Sequence, residues 1–146
     1  MAHVRQQLRA YVSEMIKGSA LVASRVQPSR ARPVRRDAQP SAYVYTPSES
    51  SSDIDSSGAQ QRVIRLKIDT IAKGDEADVQ DDFDGFAVHV ETAIAADPLF
   101  GGIASASEYK TTSFSSNADG EKPFSIMSMV FDVIVLTSNS NPEIAL

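Results

Sequence analysis

Cysteine is absent from the 146 residues. This excludes disulfide staples, thiolate zinc sites and cysteine nucleophiles. Histidine is nearly absent too, with only His3 and His89. Two histidines without cysteine do not point to zinc, so both read as structural or solvent-facing residues. No apolar run approaches the ~20 residues that a membrane helix needs. Residues Met1 to Gln7 contain no apolar segment, so no secretory signal is expected, and the chain reads as a soluble protein made in a cytoplasm. Catalytic signatures are missing as well. Gly101-Gly102 is not followed by a phosphate-loop lysine, and none of the many serines lies in G-x-S-x-G. The acidic run Asp75 to Asp84 lacks both the D-x-D-x-D-G register and the closing glutamate of a calcium loop. A looser divalent-cation site there competes with a plainer reading, a helix N-terminus with a solvated face. We expect no enzyme, no metal and no cofactor.

What is present is a globular balance: 42% hydrophobic and 23% charged residues. A chain of this length forms one domain and buries roughly 70% of the surface its unfolded form exposes. The net charge of −5 conceals an asymmetry. Residues 1–36 hold eight basic side chains against Glu14 alone, and residues 37–146 hold six against eighteen acidic ones. Such a division suits either a polyanion bound at the basic end or contact with the acidic part of a neighbouring copy.

Val4, Leu8, Val12 and Met15 or Ile16 recur at helical spacing, which predicts a helix over 3–17 with Gly18 as its C-cap. Residues 20–26 are short and apolar and suit either a strand or an irregular connection. The segment 27–40 combines prolines with Arg30, Arg32, Arg35 and Arg36 and reads as extended. Ser41 to Thr46 is a β-rich run ended by Pro47. Residues 48–58, with Ser51, Ser52, Asp53 and Ile54 at their centre, read as a long mobile hairpin loop. Ile64, Leu66 and Ile68 alternate with Arg65, Lys67 and Asp69, the clearest strand signal in the chain, over 61–72.

Val79, Phe83, Phe86, Val90 and Ile94 then mark a helix over 76–96, with Asp75, Glu76, Asp78, Asp81 and Asp82 at its N-terminal end and Asp97-Pro98 closing it. Leu99 to Gly102 reads as a turn, 107–115 as a strand and Asn117 to Gly120 as a turn. A long strand covers 124–137, its odd positions Met127 to Val135 wholly apolar. The fold class is α+β: a mainly antiparallel sheet with two helices packed on one face, an extended N-terminal third and hairpin loops. Residues 1–137 form the single domain and 138–146 a C-terminal arm. Tyr43 and Tyr45 share one strand face, suited to base stacking or, more simply, to packing in a sheet or subunit contact.

Several segments carry a family likeness in their order and spacing. They are Val4-Arg5-Gln6-Gln7-Leu8-Arg9, Ser24-Arg25-Val26, Gln39-Pro40-Ser41-Ala42-Tyr43-Val44-Tyr45-Thr46, Ala95-Ala96-Asp97-Pro98-Leu99-Phe100-Gly101-Gly102 and Gly120-Glu121-Lys122-Pro123. Together they resemble the tail terminator (minor tail protein) family of long-tailed bacteriophages. The resemblance implies a structural virion protein at the neck end of the tail, assembled in the host cytoplasm. It implies a homo-hexameric ring that caps the tail tube and stops its polymerisation. Its implied partners are its own copies, the tail tube protein and the head–tail connector or neck protein, with DNA passing through the lumen unbound and no membrane involved.

Such a ring needs a heterologous contact, and a basic N-terminal third facing an acidic remainder suits one. The expected ring-interface residues are Arg30, Arg32, Arg35 and Arg36, the acidic set Asp75, Glu76, Asp78, Asp81 and Asp82, and Ser51, Ser52, Asp53 and Ile54. Two alternatives stay open: a head-side neck or stopper protein, and a small nucleic-acid-binding module using Arg30 to Arg36. A metal-dependent hydrolase would need ligands that are not found. The arginine segment separates the readings. Replacing Arg30, Arg32, Arg35 and Arg36 with serine is predicted to leave the subunit folded while tails fail to terminate or to join heads. Normal termination with lost DNA affinity would instead favour the nucleic-acid module, whose binding falls by roughly one log unit per log of salt for each phosphate contacted.

Overall fold

The computed structural model describes residues 2–28, 39–117 and 123–146, except for the side chains of Glu76 and Asn117. In chain order the elements are α1 (Val4–Met15), β1 (Val26–Gln27), β2 (Ser41–Asp53), β3 (Ala59–Lys73), α2 (Glu76–Ala96), a 3-10 turn at Phe100–Gly102, β4 (Ala106–Asn117), β5 (Phe124–Ser138) and β6 (Asn141–Ala145). The strands form one sheet in the order β1-β2-β3-β5-β4, and β6 pairs with the end of β5. Every described pairing is antiparallel except β1 with β2. The fold is therefore α+β, as the pattern of elements predicts.

β5 alternates buried and half-buried residues over its whole length, the signature of a strand with one face in the core. β3 pairs with it from Ala59↔Ser138 to Lys73↔Phe124. That register sets Ile64 beside Val133, Leu66 beside Phe131 and Ile68 beside Met129, so the apolar face runs unbroken across both strands. β2 extends it by placing Val44 beside Ile68. One core joins this face to Val4, Leu8, Val12 and Ile16 from α1 and its end, and to Val79, Phe83, Phe86, Val90 and Ile94 of α2. Both helices thus bury the stripe that their spacing marked.

Local chemistry sets the helix ends. His3 caps α1 by accepting the Arg5 N–H at Nδ1, at 3.1 Å. Beyond the last turn Gly18, at φ +94°, donates its N–H to the Ala23 carbonyl and turns the chain back. Asp75 caps α2 through the Asp78 N–H, at 3.0 Å. Asp97 and Pro98 close it.

Two expectations need correction. Residues 48–58 are not a loop throughout. β2 shifts register between Tyr45 and Ser48, around Pro47, then continues from Ser48↔Arg65 to Asp53↔Gln60, which leaves 54–58 as the turn. The proline sits where the ladder is already interrupted, so its missing N–H breaks no pairing. The serines give no apolar signal because their side chains are exposed, yet the backbone pairs with β3 all the same. The tail 138–146 is likewise no free arm. It turns into β6, Leu146 donates its N–H to the Leu136 carbonyl, and Gln7 of α1 donates to the Glu143 carbonyl at 2.6 Å. Residues 20–26 are mostly turn, ending in β1. The turn expected from Asn117 to Gly120 lies, after Asn117, outside the described residues.

Phe86 and Phe131 are 1% and 2% exposed. Replacing either with alanine is predicted to cost about 3–5 kcal/mol in chemical denaturation, through lost contacts and the cavity left behind. A loss under about 1 kcal/mol would show that the side chain lies outside the core.

Candidate functional site

The two described groups of expected interface residues lie at opposite ends of one strand. Asp75, Asp78, Asp81 and Asp82 are exposed on the opening turns of α2, just after β3 ends. Glu76 opens that helix, and its side chain is outside the described residues. Ser51, Ser52 and Asp53 are exposed at the end of β2, and Ile54, 49% exposed, starts the turn before β3. The fifteen residues of β3 run between the two groups. They form no single site. Arg30, Arg32, Arg35 and Arg36 lie outside the described residues.

What the fold does assemble is a polar depression of about 350 Å³ where α1 begins against β2, lined by His3, Arg5, Gln6, Arg9, Thr46 and Glu49 among others. Helical spacing puts Arg5 and Arg9 on one face of α1, since residues four apart are neighbours there. Arg9 donates to the Thr46 hydroxyl at 2.8 Å. Arg62, from the start of β3, donates to Glu49 at 2.9 Å and through Nε to Thr137 at 2.8 Å. Arg5 lies 3.7 Å from the same carboxylate and keeps 42% of its side chain exposed. Two guanidinium groups, those of Arg62 and Arg5, thus share one carboxylate, with Arg9 beside them on Thr46. Burial, then the charges of Arg5 and Arg62, push the His3 imidazole below its usual range, with Glu49 opposing them. A neutral ring agrees with Nδ1 accepting the Arg5 N–H. The depression thus brings Arg5, Arg9 and Arg62 around the carboxylate of Glu49.

A second hollow, an open groove of about 920 Å³, lies between residues 18–21 and the outer side of α2. Phe86 and Leu21 contribute apolar walls, and Asp81 and Asp82 stand at one end. His89 lines it, with Nε2 donating to the Ile16 carbonyl at 3.1 Å; a carbonyl only accepts. That bond ties the middle of α2 to the end of α1.

A third node holds the turn after α2. The Tyr11 hydroxyl and the Gly101 N–H both donate to the Asp97 carboxylate. Gly101 has φ +67°, and a Cβ there would come within 2.9 Å of the Tyr11 ring. The glycine is therefore required twice, by its backbone conformation and by the aromatic lying on it. Phe100 beside it is fully buried.

On the other face of the sheet Asp69, though 2% exposed, accepts from Tyr45 at 2.9 Å and from Ser128 at 2.6 Å. Burial and the bond to Asp69 raise the Tyr45 phenol above its usual value. Tyr45 is thus committed to the sheet. No group of three or more metal-ligating side chains occurs among the described residues, and no described helix is long and apolar enough to cross a membrane.

The depression escapes a reading of the sequence because its parts come from three elements. The i, i+4 pair Arg5 and Arg9 is a visible signal, but Glu49 sits in a serine-rich run and Arg62 at a strand start, and only the β2–β3 register joins them.

The Tyr11–Asp97 bond has a direct test. The Tyr11 hydroxyl, then the Gly101 N–H, hold the Asp97 carboxyl below the ordinary aspartate range. Stability from this contact is present above the unfolded-state value and is lost as pH falls through the folded one. Tyr11→Phe is predicted to move the Asp97 titration, followed by carboxyl NMR, upward toward the ordinary aspartate value. An unmoved titration would show that the hydroxyl does not hold the carboxylate.

No protein-family model matches this chain, and no curated protein matches it significantly.

Proposed function

We propose that this chain is a structural subunit that assembles with its own copies into a ring and, following the resemblance in its segments, that this ring caps a phage tail tube, stops its growth and provides the joint to the head. In this reading both helices cover one face of the sheet, and the other face is left to meet neighbours.

The observation that carries the reading is the second face of β5. An antiparallel strand with one solvated face ordinarily alternates apolar and polar residues. Here Ile126, Val130, Ile134 and Leu136 stand on the face opposite the core, half-buried, with only Ser128 and Asp132 as polar members among positions 126–136. Val63 of β3 pairs with Ile134 and adds to the stripe. Contiguous apolar surface favours contact with another molecule, and this stripe supports the reading to the extent that it is accessible. The flanks of the sheet support the same reading, because the outer edge of β2 beyond Tyr43 and the outer edge of β4 carry no described strand partner. The nucleic-acid alternative rests on Arg30 to Arg36, which lie outside the described residues, and the described Arg5, Arg9 and Arg62 gather around a carboxylate.

The purified chain is expected to form a closed oligomer by sedimentation and mass measurement over a range of concentrations. In particles, a density map is expected to show it as one ring between tail tube and neck. Replacing Val130 and Ile134 with serine is predicted to leave the monomer folded and to reduce oligomer formation. A wild-type chain that stays monomeric at every concentration, with no ring at the neck, overturns the proposal.

A further inference from the structure

The basic depression at the start of α1 has more positive charge than its surroundings neutralise. Arg62 is committed to Glu49 and Thr137. Arg9 is bonded to a neutral hydroxyl, and Arg5 is beyond hydrogen-bond distance from Glu49. The first turn of α1 contains no acidic residue, so the positive end of the helix dipole adds to the same field. At the other end of the molecule, Asp75, Asp78, Asp81 and Asp82 form an exposed acidic surface on α2.

These two surfaces cannot meet within one chain. Arg62 lies near the start of β3, and α2 begins just past its end. The eleven steps from Arg62 to Lys73 span about 35 Å of strand at ~3.3 Å per residue. The acidic turns instead border the groove at Gly18 and Ser19, beyond the far end of α1. Arg5 and Arg9 at the start of α1 and Asp81 and Asp82 beyond its end are therefore complementary between molecules rather than within one.

We infer that the depression formed by Arg5 and Arg9 receives the acidic opening turns of α2 from a second copy of this chain. The contact is head-to-tail: each copy offers a different surface to the next, the arrangement that closes into a ring when its rotation permits. It rests on the self-assembly reading above and assigns the electrostatic part of that interface to described residues. Charge complementarity selects the orientation, and the apolar sheet face contributes area.

The test is a charge swap on the full chain, with self-association measured by sedimentation at low and high salt. Arg5→Glu with Arg9→Glu, and separately Asp81→Lys with Asp82→Lys, are each expected to weaken association about tenfold or more at low salt, since two pairs of modest energy are lost together. Combining all four substitutions, or mixing the two variants, is expected to restore it. Should the glutamate pair fail to fold by circular dichroism, Arg5→Gln with Arg9→Gln removes the charge without creating repulsion at Glu49, and the same weakening is expected.

If the wild type associates but either variant pair associates as tightly, the inference is overturned and the ring reading stands. If the wild type does not associate at all, the ring reading itself fails. If the arginine variants associate normally but lose affinity for a short DNA duplex, the depression is a nucleic-acid contact and the inference is again overturned.

Discussion

The continuous pairing of β3 with β5 is the constraint on which the rest of this molecule depends. It aligns two fifteen-residue strands along their full length. Because side chains alternate, a single register decides the composition of both faces. One face becomes Ile64, Leu66, Ile68, Met127, Met129, Phe131 and Val133, the floor on which both helical stripes are buried. A slip of one residue would place Arg65, Lys67 and Asp69 in the core, where unpaired charge is costly. β2 attaches to the outer side of β3, β4 and β6 to that of β5, and β1 to β2.

The same pairing sets the polarity of the molecule. β3 begins at the serine-rich hairpin and ends where the acidic helix starts, so every charged surface can be located along it. The basic depression belongs to the hairpin end, because Arg62 and Glu49 meet there through the β2–β3 register. The acidic turns belong to the other end. Between them, His89 on the Ile16 carbonyl and Tyr11 on Asp97 tie α2 to α1. Arg5 and Arg9 thus stand at the start of α1, while Asp81 and Asp82 border the groove beyond its other end.

Much of the fold is legible in the order of residues. The helical stripes, the alternation of Ile64, Leu66 and Ile68, and the apolar odd positions of β5 follow from local periodicity, because one buried face imposes its own repeat. Asp75 as a cap and Asp97-Pro98 as a stop are equally local. The second half of β2 and the strand β6 are not. Their side chains are small, polar or exposed, so burial leaves no pattern, and their backbones pair only because a neighbouring strand is already in place. The candidate site divides in the same way. Arg5 and Arg9 can be paired from helical spacing, and the acidic turns from their sequence proximity, whereas Glu49 and Arg62 cannot be joined to them without a register.

The sequence by itself determined the α+β class, the composition of the core and the segregation of basic from acidic residues, since each follows from periodicity or counting within short windows. Only the tertiary structure decided which strands are neighbours, that Tyr11 lies against Gly101, that Asp69 is buried with Tyr45 and Ser128, and that the basic and acidic surfaces stand at opposite ends. Those outcomes depend on contacts between residues far apart in the chain. Such contacts form when the register that buries the most apolar surface is chosen, and no local window contains that choice.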